Sequence, residues 1–264
     1  MSDERPLLMA RFLGSFRVTV DDVAVDTASR RRTRQLLAYL LANRRAPAHR
    51  DVLADTFWPD ATPAAARNNL HVTLSHLRRA LRDAHPAAVI ERRYDTYRIG
   101  GAVTVWTDLE QFAAYRSEGA RAERRGDACA AIRAYEAAGQ LYEGEFLTDQ
   151  PYADWAVPLR EALRLDMIDV QGRLIERHLE RGAPGTATIL ARRLLEIDPC
   201  NEGVHRQLMA CYAAAGQRHL ALSQYHRLVE VLWTRLRVTP SARTTEYFRQ
   251  LCHPRHDRGA RLAS

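Results

Sequence analysis

Leu70, Leu74, Leu77 and Leu81 recur at spacings that place all four on one side of a helix turning about 100° per residue. The pattern predicts a helix from Thr62 to Arg82 (TPAAARNNLHVTLSHLRRALR), with Thr62 as N-cap and Pro63 at the first helical position, where a missing N–H is harmless. The opposite side carries Asn68, Val72, Ser75 and Arg79, flanked by His71 and Arg82, and no acid falls between Pro63 and Arg82. A helix facing only water usually offers Glu and Lys. Amide, imidazole, hydroxyl and guanidinium groups beside one Val are instead the groups that meet base edges, thymine methyls and phosphates in a major groove. An ordinary solvated basic helix would carry the same residues.

Upstream, residues 7–25 (LLMARFLGSFRVTVDDVAV) alternate and break at Gly14 and at Asp21 and Asp22, predicting a β-meander. Ser29 to Arg44 follows helical spacing through Leu36, Leu37, Leu40 and Leu41. Its first turn holds Arg30, Arg31, Arg32 and Arg34, although the macrodipole at a helix N-terminus favours acids. An outside anion such as a phosphate backbone would reconcile the two; a frayed Arg cluster is the alternative. His49 to Trp58 predicts a short second helix anchored by Val52, Leu53, Phe57 and Trp58 and ended by Pro59. Helix, short turn and longer helix is helix-turn-helix order. Ala88 to Gly101 then reads as two strands around a turn at Tyr94, Asp95 and Thr96. In this wing, Arg92, Arg93 and Arg98, with Thr96 and Tyr97 near the tip, would reach the adjacent backbone or minor groove.

From Asp108 the pattern changes to Ala-rich amphipathic helices. A motif of Gly, then Ala five residues on, then Tyr or Ala, then Ala or Leu occurs at Gly126/Ala131/Tyr135/Ala138, at Gly182/Ala187/Ala191/Leu194 and at Gly216/Ala221/Tyr225/Leu228. The last two copies are offset by the tetratricopeptide period of about 34 residues. The longer interval before them holds a helix opened near Trp155 that packs across the array. Such arrays present binding faces more than chemistry. The fold class expected is mainly α, an α+β winged helix-turn-helix followed by an all-α tetratricopeptide-like array. Its domains would be 1–107, 108–252 and a disordered basic tail, 253–264.

Composition sharpens this picture. All 39 basic residues are Arg, so Walker-type, Schiff-base and general-base lysines are excluded. Residues 1–107 hold 17 Arg against 11 acids, whereas residues 108–252 hold 19 against 20; the excess charge sits with the helix-turn-helix, as a polyanion partner requires. Cys129, Cys200, Cys211 and Cys252 show no metal-ligand spacing and suit a reduced compartment. His253 and His256 stand in HxxH spacing without a third ligand candidate, so no metal site is expected there. The absence of an apolar leader or span predicts a soluble, cytoplasmic chain. No GxSxG, HExxH, phosphate loop or paired-carboxylate signature is present, and Asp51, Asp55 and Asp60 read as a solvated face. No enzyme and no cofactor are expected.

The N-terminal half resembles the OmpR/PhoB-type winged helix through LLAYLL, DTFWPD, LSHLRRALRD and YDTYRI. The remainder resembles the bacterial transcriptional activation domain through WTDLEQF, LYEGEFL, DWAVPLR, RLLEIDPCNEGVHRQLM, AAAGQRHLALSQYHRLVEVL and VTPSARTTEYFRQL. In that order, over about Leu7 to Leu251, the chain is similar to the small members of the Streptomyces antibiotic regulatory protein family. The resemblance implies an activator of secondary-metabolite clusters that binds direct repeats in double-stranded DNA near a promoter and contacts RNA polymerase holoenzyme; a homodimer is a further candidate partner, formed in solution or only on DNA, and the sequence leaves the two open. Asn68, His71, Val72 and Ser75 match the base-reading face, and Arg78 and Arg79 a basic pair suited to phosphates; Arg67 completes the candidate recognition-helix set. One departure is Thr96, where the family's hairpin usually has Gly before the tyrosine matched to Tyr97. A second reading treats both halves as a protein-binding adaptor without DNA contact; the acid-free helix face and the charge asymmetry argue against it.

Overall fold

The computed structural model describes residues 5–27 and 30–253. They divide into two compact units, Met1–Ser117 with Gln140–Leu165, and Glu118–Gly139 with Asp166–Ser264. The expected disordered tail, apart from His253, and the second histidine of HxxH lie outside the described residues.

In the first unit the expected meander is formed by β1 (Leu7–Arg11), β2 (Arg17–Val20) and β3 (Val23–Ala24), all antiparallel. Asp21 and Asp22 make its second turn with φ of 44° and 66°, values that short polar side chains tolerate best after glycine. Helix α1 (Arg31–Ala42) buries Leu36, Leu37, Leu40 and Leu41. It ends before Arg44, whose N–H turns to the Leu41 carbonyl three residues back instead of continuing the four-residue pattern, while the Asn43 side chain adds a second donor to the Tyr39 carbonyl.

The expected second helix begins one residue later than read. His49 belongs to a two-residue strand, β4 (Ala48–His49), and its Nδ1 accepts from the Asp51 N–H as the N-cap of α2 (Arg50–Phe57). Val52 is not an anchor: Leu53, Ala54 and Phe57 form the buried stripe, and Val52, a step of about 100° off it, is 49% exposed. Helix α3 (Pro63–Ala84) starts as predicted, with Thr62 Oγ1 accepting from Ala65 N–H at 3.3 Å. Its four leucines are at most 1% exposed. At about 1.5–3 kcal/mol per fully buried leucine, they fix the helix's rotation more firmly than any polar contact along it.

Strands β5 (Ile90–Arg93) and β6 (Thr96–Ile99) form the hairpin, and β4 adds to β6, giving the order β4-β6-β5. The left-handed residue of the hairpin turn is Tyr94 (φ 54°), while Thr96 already lies in β6. Strand β7 (Thr104–Thr107) then joins β1 in parallel, so the first sheet runs β3-β2-β1-β7. Neither β4 nor β7 was legible, because each is short and held by a distant partner.

Helix α4 (Asp108–Arg124) opens on a buried carboxylate that accepts the Phe12 and Leu13 N–H groups at 2.7 and 2.8 Å. Burial pushes the Asp108 pKa up against the pull of these amides. The segment Gln140–Leu165 completes this unit. Phe146 is fully buried against Phe12 and Trp155, and Asp149 accepts the Phe16 N–H at 2.8 Å.

The second unit is helical and includes parts of α4, of α5 (Ala128–Leu141) and of α6 (Val157–Glu180). With these stand α7 (Pro184–Ile197), α8 (Glu202–Ala214), α9 (Arg218–Leu236) and α10 (Ala242–Cys252). Its repeat has one physical cause. Gly126, Gly182 and Gly216 each follow a helix with φ of 73°, 71° and 73°. The next residue's N–H closes on a carbonyl five positions back: Asp127 on Ala122, Ala183 on His178, Gln217 on Tyr212. The alanines five residues beyond each glycine, Ala131, Ala187 and Ala221, are fully buried. Gly119 is needed for another reason, since a Cβ there would lie 2.4 Å from the buried Tyr135 ring. No helix among the described residues is long and apolar enough to cross a membrane.

Candidate nucleic-acid interface

Burial of the leucine stripe turns the other side of α3 outward. Asn68, His71, Val72, Ser75 and Arg79 are all exposed, Val72 at 45%, and Arg78 is half-buried. Thr73, on the margin of the core, satisfies its hydroxyl on the Asn69 carbonyl at 2.8 Å. The outward groups remain open to a ligand. Among the described residues Arg79 has only a long i,i+4 contact with Asp83 at 3.8 Å, and Arg67 one with Asp51 at 3.7 Å.

Each half of α3 has its own flank. Towards the C-terminal half, Arg30 from the α1 N-cap and Arg79 line one cavity of about 370 Å³, together with His76 and Asp83. No side chain caps α1 and no acid stands in its first turn, so its N–H groups and arginines face outward together. Arg31 and Arg32 are exposed, the first over the Tyr152 ring at 6.0 Å, the second donating to Gln35 Oε1 at 3.2 Å.

Arg34 is different. It pairs with Asp149 at 2.7 Å, donates to the Phe16 carbonyl and covers the Phe16 ring. Its role here is internal, because partners distant in the chain, Asp149 and the Phe16 carbonyl and ring, engage the guanidinium that helical spacing alone would leave beside Arg30 and Arg31.

Towards the other half lies the wing, tied to α2 and α3 by a chain of charges. Arg50 donates its backbone N–H to the Asp95 carbonyl at 2.7 Å and pairs through its side chain with the Asp95 carboxylate at 2.9 Å. Arg50 also hydrogen-bonds Asp51, which holds the Asp51 carboxyl below the usual carboxylate range, with Arg67 adding to the effect. Arg92 donates to the Tyr94 carbonyl and approaches Asp95 at 3.6 Å. Arg98 is paired with Glu91 at 2.7 Å, and that hydrogen bond lowers the Glu91 pKa. Arg93 is exposed, and Thr96 is half-buried with its hydroxyl on the Arg93 carbonyl. Tyr97, expected near the tip, is 5% exposed and lies beneath the hairpin, since alternation in β6 points it inward. The aromatic residue at the tip is Tyr94, 88% exposed; sequence reading used it only as a turn residue. Its signal was an aromatic side chain at a turn position, next to two arginines.

A helix-turn-helix whose second helix has an open outer face with no acid from Pro63 to Arg82, followed by a three-stranded wing, defines a winged-helix DNA-binding transcription regulator. The model of the "Transcriptional regulatory protein, C terminal" family matches residues 26–99, and that of the "Bacterial transcriptional activator domain" residues 107–252. The transcriptional regulatory protein MoaR1 of Mycobacterium tuberculosis is 30% identical over 210 residues, covering 79% of this chain and 68% of that protein. The regulatory protein AfsR of Streptomyces coelicolor is 25% identical over 240 residues, 90% of this chain and 23% of AfsR. Among solved structures, Mycobacterium tuberculosis EmbR in complex with a low affinity phosphopeptide superposes with a TM-score of 0.83 at 25% identity, covering 94% of this chain and 65% of that one. The chain belongs to the Streptomyces antibiotic regulatory protein family, with an OmpR/PhoB-type winged helix followed by a bacterial transcriptional activation domain.

Proposed function

We propose that the protein activates a biosynthetic gene cluster by binding direct repeats near a promoter and contacting RNA polymerase, in the bacterial cytoplasm. Residues 1–107 read DNA and residues 108–252 make the protein contacts, including those to a second copy on the adjacent repeat. In this reading Asn68, His71, Val72 and Ser75 face base edges, with Arg67, Arg78 and Arg79 on the flanking strands. Arg30, Arg31 and Arg32 grip one backbone segment, and Arg92, Arg93 and Tyr94 another. The observation that carries the reading is the exposed face of α3, on which Asn68, Val72, Ser75 and Arg79 stand opposite four fully buried leucines.

Footprinting of the full chain on genomic fragments would return the operator and its repeat spacing. Asn68→Ala with Val72→Ala and Arg79→Ala should then cost about 1–3 kcal/mol for each lost base contact and erase the footprint, while non-specific binding persists. An unchanged footprint would refute the assignment, and activation of transcription without one would favour the adaptor reading.

A further inference from the structure

The second unit contains a groove of about 540 Å³ walled by α7 and α9 and floored by α8. Three arginines line it, Arg192, Arg227 and Arg235, against a single acid, Glu196. Arg192 is held in place: its Nε and Nη2 both donate to Tyr212 Oη, at 3.1 and 2.8 Å. Arg227 and Arg235 are exposed and have neither a hydrogen bond nor an ion pair among the described residues. Between them on the same face of α9 stands the half-buried Val231, across from Leu208 on the floor. Two unpaired cations on either side of an apolar strip form a site with its counter-charges missing. Its volume takes a few side chains and not a duplex.

We propose that this groove binds an extended acidic segment of a protein partner, with the pattern acid, any residue, apolar residue, any residue, acid. The spacing follows from helix geometry. Arg227 and Arg235 are separated by about 12 Å along α9 at about 1.5 Å per residue. Residues i and i+4 of an extended strand are separated by about 13 Å and point to the same side, as does residue i+2. Acids at i and i+4 meet the two guanidinium groups, and the apolar residue at i+2 meets Val231, with Leu208 buried at the floor. The inference rests on the reading of the helical array as the partner-binding half and supplies the chemistry of the partner.

The test uses the full chain and a fluorescein-labelled peptide with the core Asp-Ser-Leu-Ser-Asp, followed by anisotropy. Saturable binding should weaken as salt rises. It should fall about tenfold or more with Arg227→Glu plus Arg235→Glu, and also with Val231→Asp or when the peptide's Leu is Ser. A peptide with Lys for Asp should not bind. Circular dichroism melts establish that the variants are folded, as expected for the exposed Arg227 and Arg235, and the double arginine variant carries the test should the half-buried Val231→Asp fail to fold.

Promoter-fragment binding is measured on the same preparations. The groove variants should keep its sequence-specific part, whereas the triple α3 variant should lose that part and still bind the peptide. Failure of DNA binding in every preparation would thus strike the regulatory reading and leave the groove standing. Equal binding of the acidic and basic peptides, undiminished binding by the double variant, no saturable binding, or joint loss of peptide and DNA binding would each overturn the groove.

Discussion

Phe146→Ala tests whether the first unit depends on residues far along the chain from its helix-turn-helix. The Phe146 side chain is fully buried, its ring stacked on Phe12 with centroids 5.7 Å apart and edge-on to Trp155 at 6.0 Å. The backbone around it is also engaged: Leu147 N–H bonds the Phe12 carbonyl, and Gly14 bonds both Glu145 and Thr148. These bonds hold the cavity walls in place, so the site cannot collapse to fill the void. Truncating a buried Phe costs about 3–5 kcal/mol, and the lost aromatic pairs set this site towards the upper end. With a urea slope of about 2 kcal/mol per molar, the unfolding midpoint should fall by about 1.5–2.5 M. Trp58, Trp106 and Trp155 belong to the first unit and only Trp233 to the second. Tryptophan emission in a Trp233→Phe background therefore reports the first unit alone. A loss under about 1 kcal/mol would show that the N-terminal unit is stable without this segment and that the packing argument is wrong.

Arg31→Ala and Arg34→Ala should separate two neighbouring arginines. Arg31→Ala should leave stability within about 0.5 kcal/mol and reduce the slope of log affinity against log salt by about one. Arg34→Ala should cost about 1–3 kcal/mol of first-unit stability, by removing the cation beside Asp149, which keeps only the Phe16 N–H, and the donor to the Phe16 carbonyl, with the salt slope unchanged; the opposite assignment of effects would reverse their roles. His205 is buried, bonded through Nε2 to the Pro199 carbonyl and through Nδ1 to Gln224, and burial depresses its pKa below the ordinary value. Between those two pKa values the unfolded chain takes up a proton that the folded state refuses. The second unit should therefore lose stability as pH falls below about 6.5, and none on this account above it. Urea unfolding followed by circular dichroism at pH 7.5 and 5.5 should show a smaller acid loss in His205→Gln; an identical loss would exonerate His205.

The features legible in the sequence are those whose cause is local. The α3 stripe, its Thr62–Pro63 start and the Asp21–Asp22 turn each depend on residues within one or two helical turns, and the sequence pattern predicts all three; Gly126, Gly182 and Gly216 stand out in the sequence only as part of a repeat, and the backbone shows them to be left-handed helix ends. What escaped depends on partners distant in the chain. Strand β7 exists because β1 lies alongside it, and β4 because β6 does. Arg34 looked like its three neighbours until Asp149 claimed it, 115 residues away. Val52 and Tyr97 were misplaced because a one-residue difference in helix or strand register moves a side chain from surface to core. The open character of the α3 face was legible for the same reason that the leucines were, since burying one side of a helix decides what the other side shows.

The tether between Arg50 and Asp95 has a kinetic and selective consequence. A hairpin free to swing would have to be immobilised each time it met a nucleic acid, at an entropic cost that weakens every complex alike. Here the backbone and side-chain bonds at the hairpin tip have already arrested that motion before any encounter. The molecule then behaves as a caliper with its jaws preset. It should tolerate changes in base identity beneath the hairpin, yet discriminate among duplexes by how closely the distance between neighbouring grooves matches the gap it holds open.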